Sequence, residues 1–448
     1  MSKRKRMRIQ FEKNRQEKIM RFLRRRSKRK RKNAKKANDP IYSLNTCELL
    51  YEKEFFIKVS EYIINKGDGT IVIDIPNDFS IATNPDEVLY ILKKIFCCGI
   101  NPRVKEIMFD HSRCTNLGIA ASTIMDTIVL AAKSYRKVSK KHDELTISGK
   151  YPLDDYTKDV FIGSGLVKHL NLNAHASTDK NKIKTFKLVS GKYGTEQSSV
   201  ISTKLMHYFS KCLETQKYKL TDEGENALSR MFSEVLENCE KHGGKKAIWY
   251  ALGHYQIKKD YEYGEIQLTI FNFGNSIYEQ LCSEDTSFET KQKLFKISNK
   301  HKNYFSEGKW TEEMLYTVFS LQEGISRLRD KNKKGYRNRG TGTITLMNTF
   351  YKLGHTFEGK EPELEIVSGN TYIKFNGKYK PEKKVVDDDI FENKERQIIA
   401  FNQENNIFKP SDDSVMCLKQ NFPGTIIAMK FYLDKKYLDS IIKEVKNA

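Results

Sequence analysis

Glu234 and Asn238 stand four residues apart near the end of a stretch in which Leu228, Met231, Phe232, Val235 and Cys239 recur at helical spacing. That recurrence predicts a helix over residues 221–239 and sets the carboxylate and the carboxamide together on a neighbouring face, which Lys241 extends. A carboxylate so placed can orient and deprotonate a water, and a neutral carboxamide oxygen suits a metal held mainly by phosphates and water. Taken alone, Glu-x-x-x-Asn more often marks a solvated helix face. Three later stretches change its meaning. Residues 265–271 alternate as a strand and run into Asn272-Phe-Gly274-Asn-Ser276-Ile277, a small-residue turn that can bring backbone close to a flat base. Arg339-Gly340-Thr341-Gly342 precedes an apolar helical run over 344–353, so free amides at a helix start would face phosphate oxygens. Phe422-Pro-Gly424-Thr425 opens a last apolar strand. Together the four stretches point to a nucleotide pocket, which no one of them does alone.

In this order and at this spacing the motifs resemble the GHKL ATPase superfamily, the ATP-binding domains of type II topoisomerases, heat-shock chaperones, histidine kinases and mismatch-repair proteins. The resemblance covers about residues 221–431, nearly half the chain. It implies a two-layer α/β sandwich, a mixed sheet covered by helices, that binds ATP and Mg²⁺. It further implies Glu234 as the water-activating base and Asn238 as the magnesium ligand. Asn272 stands where the family has an Asp that accepts from the adenine amino group, and Gly274, Ser276 and Ile277 complete the first glycine box. Gly340, Thr341 and Gly342 are the phosphate-facing second box, with Lys241 and Arg339 beside the phosphates and Thr425 offering a hydroxyl near adenine. Two departures stand out. Asn272 is neutral, so its contact is weaker than a charge-assisted one, and Ser276 replaces a glycine and tightens the turn.

The same resemblance makes residues 278–339 a lid. Within it, 311–329 reads as a helix with Glu312 and Glu313 in the first turn and Arg327 and Arg329 in the last, matching the helix dipole. Lys331, Lys333, Lys334 and Arg337 follow as a basic loop, mostly solvated, from which some side chains could reach the γ-phosphate. Residues 365–367 and 371–375 read as a hairpin about Ser368-Gly-Asn370. The insertion at 383–420 carries no legible function, and residues 436–448 form a terminal helix.

Upstream, residues 70–75 and 104–109 read as strands and 85–96 and 116–132 as helices, a β-α-β-α alternation. Through Glu106-Ile-Met-Phe-Asp110-His-Ser112 and Thr115-Asn116-Leu117-Gly118, roughly residues 42–135 resemble a sulfate-transporter and anti-sigma-antagonist (STAS-like) domain, which sets the expected domain at 39–150. The turn that would carry a phosphorylatable serine there lacks it. Residues 136–150 read as a polar linker or exposed hairpin, 151–220 as a connecting helical segment with helices near 157–170 and 198–215 and a strand at 183–188, and 221–435 as the nucleotide-binding domain. The fold class expected is therefore α/β (α+β).

With 448 residues the chain exceeds what a single core usually supports, so more than one domain is expected. Of its net charge of +22, seventeen units lie in residues 1–36, where nineteen Lys or Arg face only Glu12 and Glu17. Such a segment, taken here as a disordered tail over 1–38, cannot bury enough apolar surface to offset its ordering entropy, and it suits a salt-sensitive, sequence-tolerant contact with DNA or RNA. A solubilising arm, or a contact with anionic lipid or an acidic protein, fits the same charge. Eight cysteines without any Cys-x-x-Cys spacing, and no apolar run of about 18 residues, fit a reduced, cytoplasmic setting without a membrane span. His111 with Cys114, and Cys239 with His242, sit at ligand-like spacing as lone pairs.

Three functions follow. The first is an ATPase whose closing lid acts as a switch on the N-terminal domain or on a partner, whether another protein or a second copy of the chain, a role that by association would suit bacterial stress or antiviral defence. The second is a protein kinase of histidine-kinase or anti-sigma type. The third is a non-catalytic ATP sensor or nucleic-acid-binding adaptor.

Overall fold

The computed structural model describes residues 44–57, 69–138, 144–165, 167, 183–257, 263–306, 308–327, 342–350, 355–375, 377–385, 390 and 395–439. The chain divides into two compact units, Met1–Asn173 and Ala174–Ala448. Both combine helices with sheets, a mixed α/β construction. The basic tail at 1–38 lies outside the described residues, as does most of the terminal helix. No helix among those described is long and apolar enough to cross a membrane.

In the first unit the order is α1 (Leu44–Glu52), β1 (Thr70–Asp74), β2 (Asp78–Phe79), α2 (Pro85–Ile100), β3 (Glu106–Asp110), β4 (Asn116–Leu117), α3 (Ile119–Val138), β5 (Thr146–Lys150) and α4 (Asp155–Ser164). Strands β1, β3 and β5 pair in parallel in that order, and β2 pairs with β4. Parallel neighbours need crossover connections, which α2 and α3 supply. Pro85 at the first helical position and Asp86 and Glu87 in the first turn start α2, which buries Val88, Leu92, Ile95 and Phe96.

Two expectations change here. Residues 136–150 are neither a linker nor an exposed hairpin, because 136–138 finish α3 and 146–150 form the third parallel strand. The boundary also moves past 150. Helix α4 belongs to this unit: Phe161 lies against His111, with ring centroids 4.4 Å apart, and the Thr157 hydroxyl donates to the Thr115 carbonyl. At the end of β3, Asp110 accepts from the amide and hydroxyl of Ser112 and pairs with Lys150 at 2.7 Å, which holds its carboxyl below the usual range.

The second unit begins with β6 (Ile183–Lys192) and α5 (Gln197–Glu214), followed by α6 (Asp222–His242), β7 (Ile248–Ile257) and β8 (Tyr263–Phe273). Then come α7 (Ile277–Leu281), α8 (Phe288–His301), α9 (Glu312–Phe319), α10 (Gly342–Phe350), β9 (Glu363–Phe375), β10 (Glu382–Val385), β11 (Glu395–Ile398) and β12 (Val415–Asp434). Five strands form one sheet in the order β6-β7-β8-β12-β9. Every pairing in it is antiparallel, so the expected mixed sheet is corrected. Helices α5, α6 and α10 build a common core with one face of this sheet, where Phe209, Phe232, Trp249, Met347 and Phe431 are buried. Because β6 pairs with β7 and α5 packs on α6, residues 183–220 are part of this unit and not a separate connecting segment.

The hairpin expected about Ser368-Gly-Asn370 is one continuous strand. Both halves of β9 pair with β12, and the ladder shifts register where Gly369 adopts a positive φ of 61°. A bulge bends a strand without reversing it. The helix expected over 311–329 stops at Phe319, beyond its Thr311 cap. The Gln322 carboxamide there donates to the carbonyls of Val318 and Ile399 and accepts from the Ile399 amide, turning the chain before Gly324.

On β9 Glu365 is 3 % exposed, and one of its carboxylate oxygens has no partner. Burial first, and the charge of Glu363 second, push its pKa up to about 8, against the pull of Lys430 and Lys374. The folded form therefore holds this proton more tightly than the unfolded chain. The contribution to stability is complete below the ordinary carboxylate pKa and is lost as pH rises through about 8. Across that window the loss approaches about 1.4 kcal/mol per pH unit. Denaturant titrations should show Glu365→Gln matching the wild type near pH 5 and exceeding it at pH 8.5, and equal stability at both values would refute the burial argument.

Candidate functional site

Helix α6 starts where Thr221 accepts from the Gly224 amide, carries Asp222, Glu223 and Glu225 in its first turn, and ends with Lys241 and His242. Its apolar stripe of Leu228, Met231, Phe232, Val235 and Cys239 is buried, as the spacing required. The carboxylates of its last two turns separate by role. Glu240 is buried and accepts from the Ser198 amide at 3.0 Å, serving the start of α5, while Glu237 pairs with Lys241. Glu234 instead lines a cleft, with Asn238 one turn further on.

Across that cleft stand the ends of β8 and β12. Asn272 lies opposite Thr425 in the ladder and opposite Trp249 on its other side. Both Asn272 and Thr425 line the cleft and are buried in the wall, and Ile277 joins them from α7. The Thr425 hydroxyl lies 3.0 Å from that of Ser368, which also accepts from the Ile277 amide at 2.8 Å. This network ties the last strand, β9 and the start of α7 into one rigid corner.

Gly274 acts by close approach. A Cβ at this position would sit 2.2 Å from the Gly243 carbonyl oxygen, so only glycine lets β8 run so near the end of α6. The Gly243 carbonyl then accepts from the Asn275 amide. Ser276, expected to tighten the turn, caps α7: its hydroxyl accepts from the Glu279 amide and Glu279 accepts from the Ser276 amide, a capping box.

The structure thus brings Glu234, Asn238, Asn272, Ile277 and Thr425 to one cleft, while Gly274 and Ser276 do not line it and instead set the approach to Gly243 and the cap of α7. Lys241 does not line it, because the side chain turns back to Glu237. Gly342 opens α10, whereas Arg339, Gly340 and Thr341 lie outside the described residues. Apolar walls come from Val235, Leu281, Leu321, Ile325, Leu346 and Ile427. The volume, about 180 Å³, is below the roughly 300–1,000 Å³ of typical small-molecule pockets, so the described walls enclose a small cleft.

Arg327 is the residue the sequence misassigned. Placed in the last turn of a long helix, it lies instead past the end of α9, lining the cleft with Ser326. Its side chain is 14 % exposed, its Nε is buried with no hydrogen-bond partner, and Asp285, 3.8 Å away, is 81 % exposed. The usable signal was Gly324, a poor helix former in mid-segment. Cys239 and His242 both face the cleft. Burial pushes the Cys239 thiol up to about 12, and among the described residues no group of three or more His, Cys, Asp or Glu is arranged to hold a metal.

Comparison of the chain with family models, with curated proteins and with solved structures returned no match. Function therefore rests on the chemistry of the cleft. It offers a carboxylate and carboxamide on one helix face, a buried carboxamide and hydroxyl at a strand corner, a poorly compensated guanidinium, and apolar walls between them.

Proposed function

We propose that the second unit is a GHKL-type ATP-binding module whose cleft takes the nucleotide with Mg²⁺ and hydrolyses it as a conformational switch. One observation carries this reading: Glu234, Asn238, Asn272 and Thr425, singled out in separate stretches of sequence, face a single cleft. The fit to a nucleotide is supported by the Asn272 carboxamide, which makes no side-chain hydrogen bond within the protein, and by the backbone approach that Gly274 permits. Asn238 would hold Mg²⁺ through its carbonyl oxygen, and the bound ion would neutralise phosphate charge.

The chain's own residues do the rest. Glu234 orients a water and takes its proton, Arg327 attracts phosphate oxygens, and the apolar walls exclude bulk solvent. Asn272 and Thr425 hold the base. The basic segment 1–36 adds a charge-driven contact with DNA or RNA, so that nucleotide state and polyanion binding reside in one chain.

Calorimetric titration with ATP and Mg²⁺ tests the reading, and absence of any binding heat removes it. Arg327→Ala should weaken ATP by roughly ten- to hundredfold, the loss of about 1.5–3 kcal/mol expected for a hydrogen bond to a charged group. Adenosine, which lacks phosphates, should bind both proteins alike. An equal loss for adenosine would assign Arg327 to packing.

A further inference from the structure

Asn272 is 2 % exposed, and its Nδ2 has no hydrogen-bond partner. That nitrogen faces Gly243, where a Cβ would lie 2.9 Å from it. No protein group therefore fixes which way the carboxamide is turned. In the orientation seen the inner atom is unpaired, and turning the carboxamide over breaks no hydrogen bond, so a ligand can meet a donor or an acceptor at this position.

Thr425, opposite Asn272 in the ladder, has the same freedom for a different reason. Ser368 Oγ accepts from the Ile277 amide and has two acceptors for its own proton, Thr425 Oγ1 at 3.0 Å and the Gly424 carbonyl at 3.5 Å. When Ser368 donates to Thr425, the threonine proton is released to meet an acceptor. When Ser368 donates to Gly424, Thr425 donates to Ser368 and keeps lone pairs for a donor. The rotor and the amide can switch together, and neither carries charge.

We propose that this corner reads a purine without distinguishing the 6-amino from the 6-keto group, so that the cleft takes GTP as well as ATP. The inference rests on the nucleotide reading above and deepens it. With the amide oxygen and threonine lone pairs outward, the corner accepts from the amino group of adenine. With the amide nitrogen and threonine proton outward, it donates to the keto oxygen of guanine.

Titrations of wild-type protein with ATP and with GTP, each with Mg²⁺, form the first arm and need no variant. The expected result is binding of both within about tenfold. Asn272→Asp forms the second. A carboxylate only accepts, so ATP should be retained while GTP weakens by roughly thirtyfold or more. Thermal melting of the variant confirms that it folds. ATP binding with GTP disfavoured more than about a hundredfold in the wild type overturns the inference and leaves the nucleotide reading standing. An unchanged ATP-to-GTP ratio in Asn272→Asp also overturns it. If neither nucleotide binds, the nucleotide reading itself fails and this inference with it.

Discussion

Glu234→Ala is expected to lower ATP turnover by about 10²–10⁴-fold while ATP affinity stays within about threefold of wild type, the signature of losing a general base and not a binding contact. The expectation follows from how α6 distributes its acids. Glu237 is matched to Lys241, and Glu240 is buried in the hydrogen bonds that begin α5, so of these three only Glu234 lines the cleft. Glu237→Ala is the control. It removes a surface ion pair worth at most about 0.5 kcal/mol and should leave phosphate release unchanged. Hydrolysis that survives in Glu234→Ala would take that residue out of the mechanism. The same assay on wild-type protein separates the functional classes: free phosphate marks a hydrolase, labelled γ-phosphate on protein marks a transferase, and bound ATP without either marks a sensor.

The part of this site legible in sequence is the part governed by local rules. Helical periodicity located α6 and put Glu234 and Asn238 on one face because five apolar residues fixed which side is buried. Strand alternation located β8, and the glycine-rich exit followed from the steric need at Gly274. Positions set by distant partners were not legible. Arg327 reaches the cleft because Gln322 bonds Ile399, 77 residues away, and thereby ends the helix early. Ser368 and Gly369 looked like a hairpin turn because a bulge uses the same small residues, and only the continued pairing with β12 distinguishes the two. Strand β5 escaped notice because Thr-Ile-Ser-Gly-Lys is short and polar, as a largely exposed edge strand tends to be.

Arg136 shows the same limit most sharply and yields the largest expected effect on stability. In the sequence it opens a basic stretch and looks solvated, yet it is 1 % exposed. Its guanidinium donates from Nε to the Gly99 carbonyl at 2.8 Å, from Nη1 to Val104 at 2.5 Å, and from Nη2 to Asn101 at 2.5 Å and Cys98 at 3.4 Å. These carbonyls belong to the last turn of α2 and the loop that leads into β3, so one side chain from α3 closes a helix end and meets the negative pole of its dipole. Arg136→Met keeps much of the apolar stem but strips the donors from several buried acceptors at once. Each unsatisfied group costs about 1–3 kcal/mol before relaxation, and breaking a buried charged network typically costs about 3–5 kcal/mol. Arg136→Lys should recover only part of this, because one ammonium cannot span carbonyls that a planar fork reaches from both edges. Chemical denaturation, with hydrogen exchange followed over residues 98–104, provides the measurement. A loss below about 1 kcal/mol with unchanged protection would mean that water replaces the guanidinium at this helix end, and that the packing of α2 on α3 holds the first unit together without it.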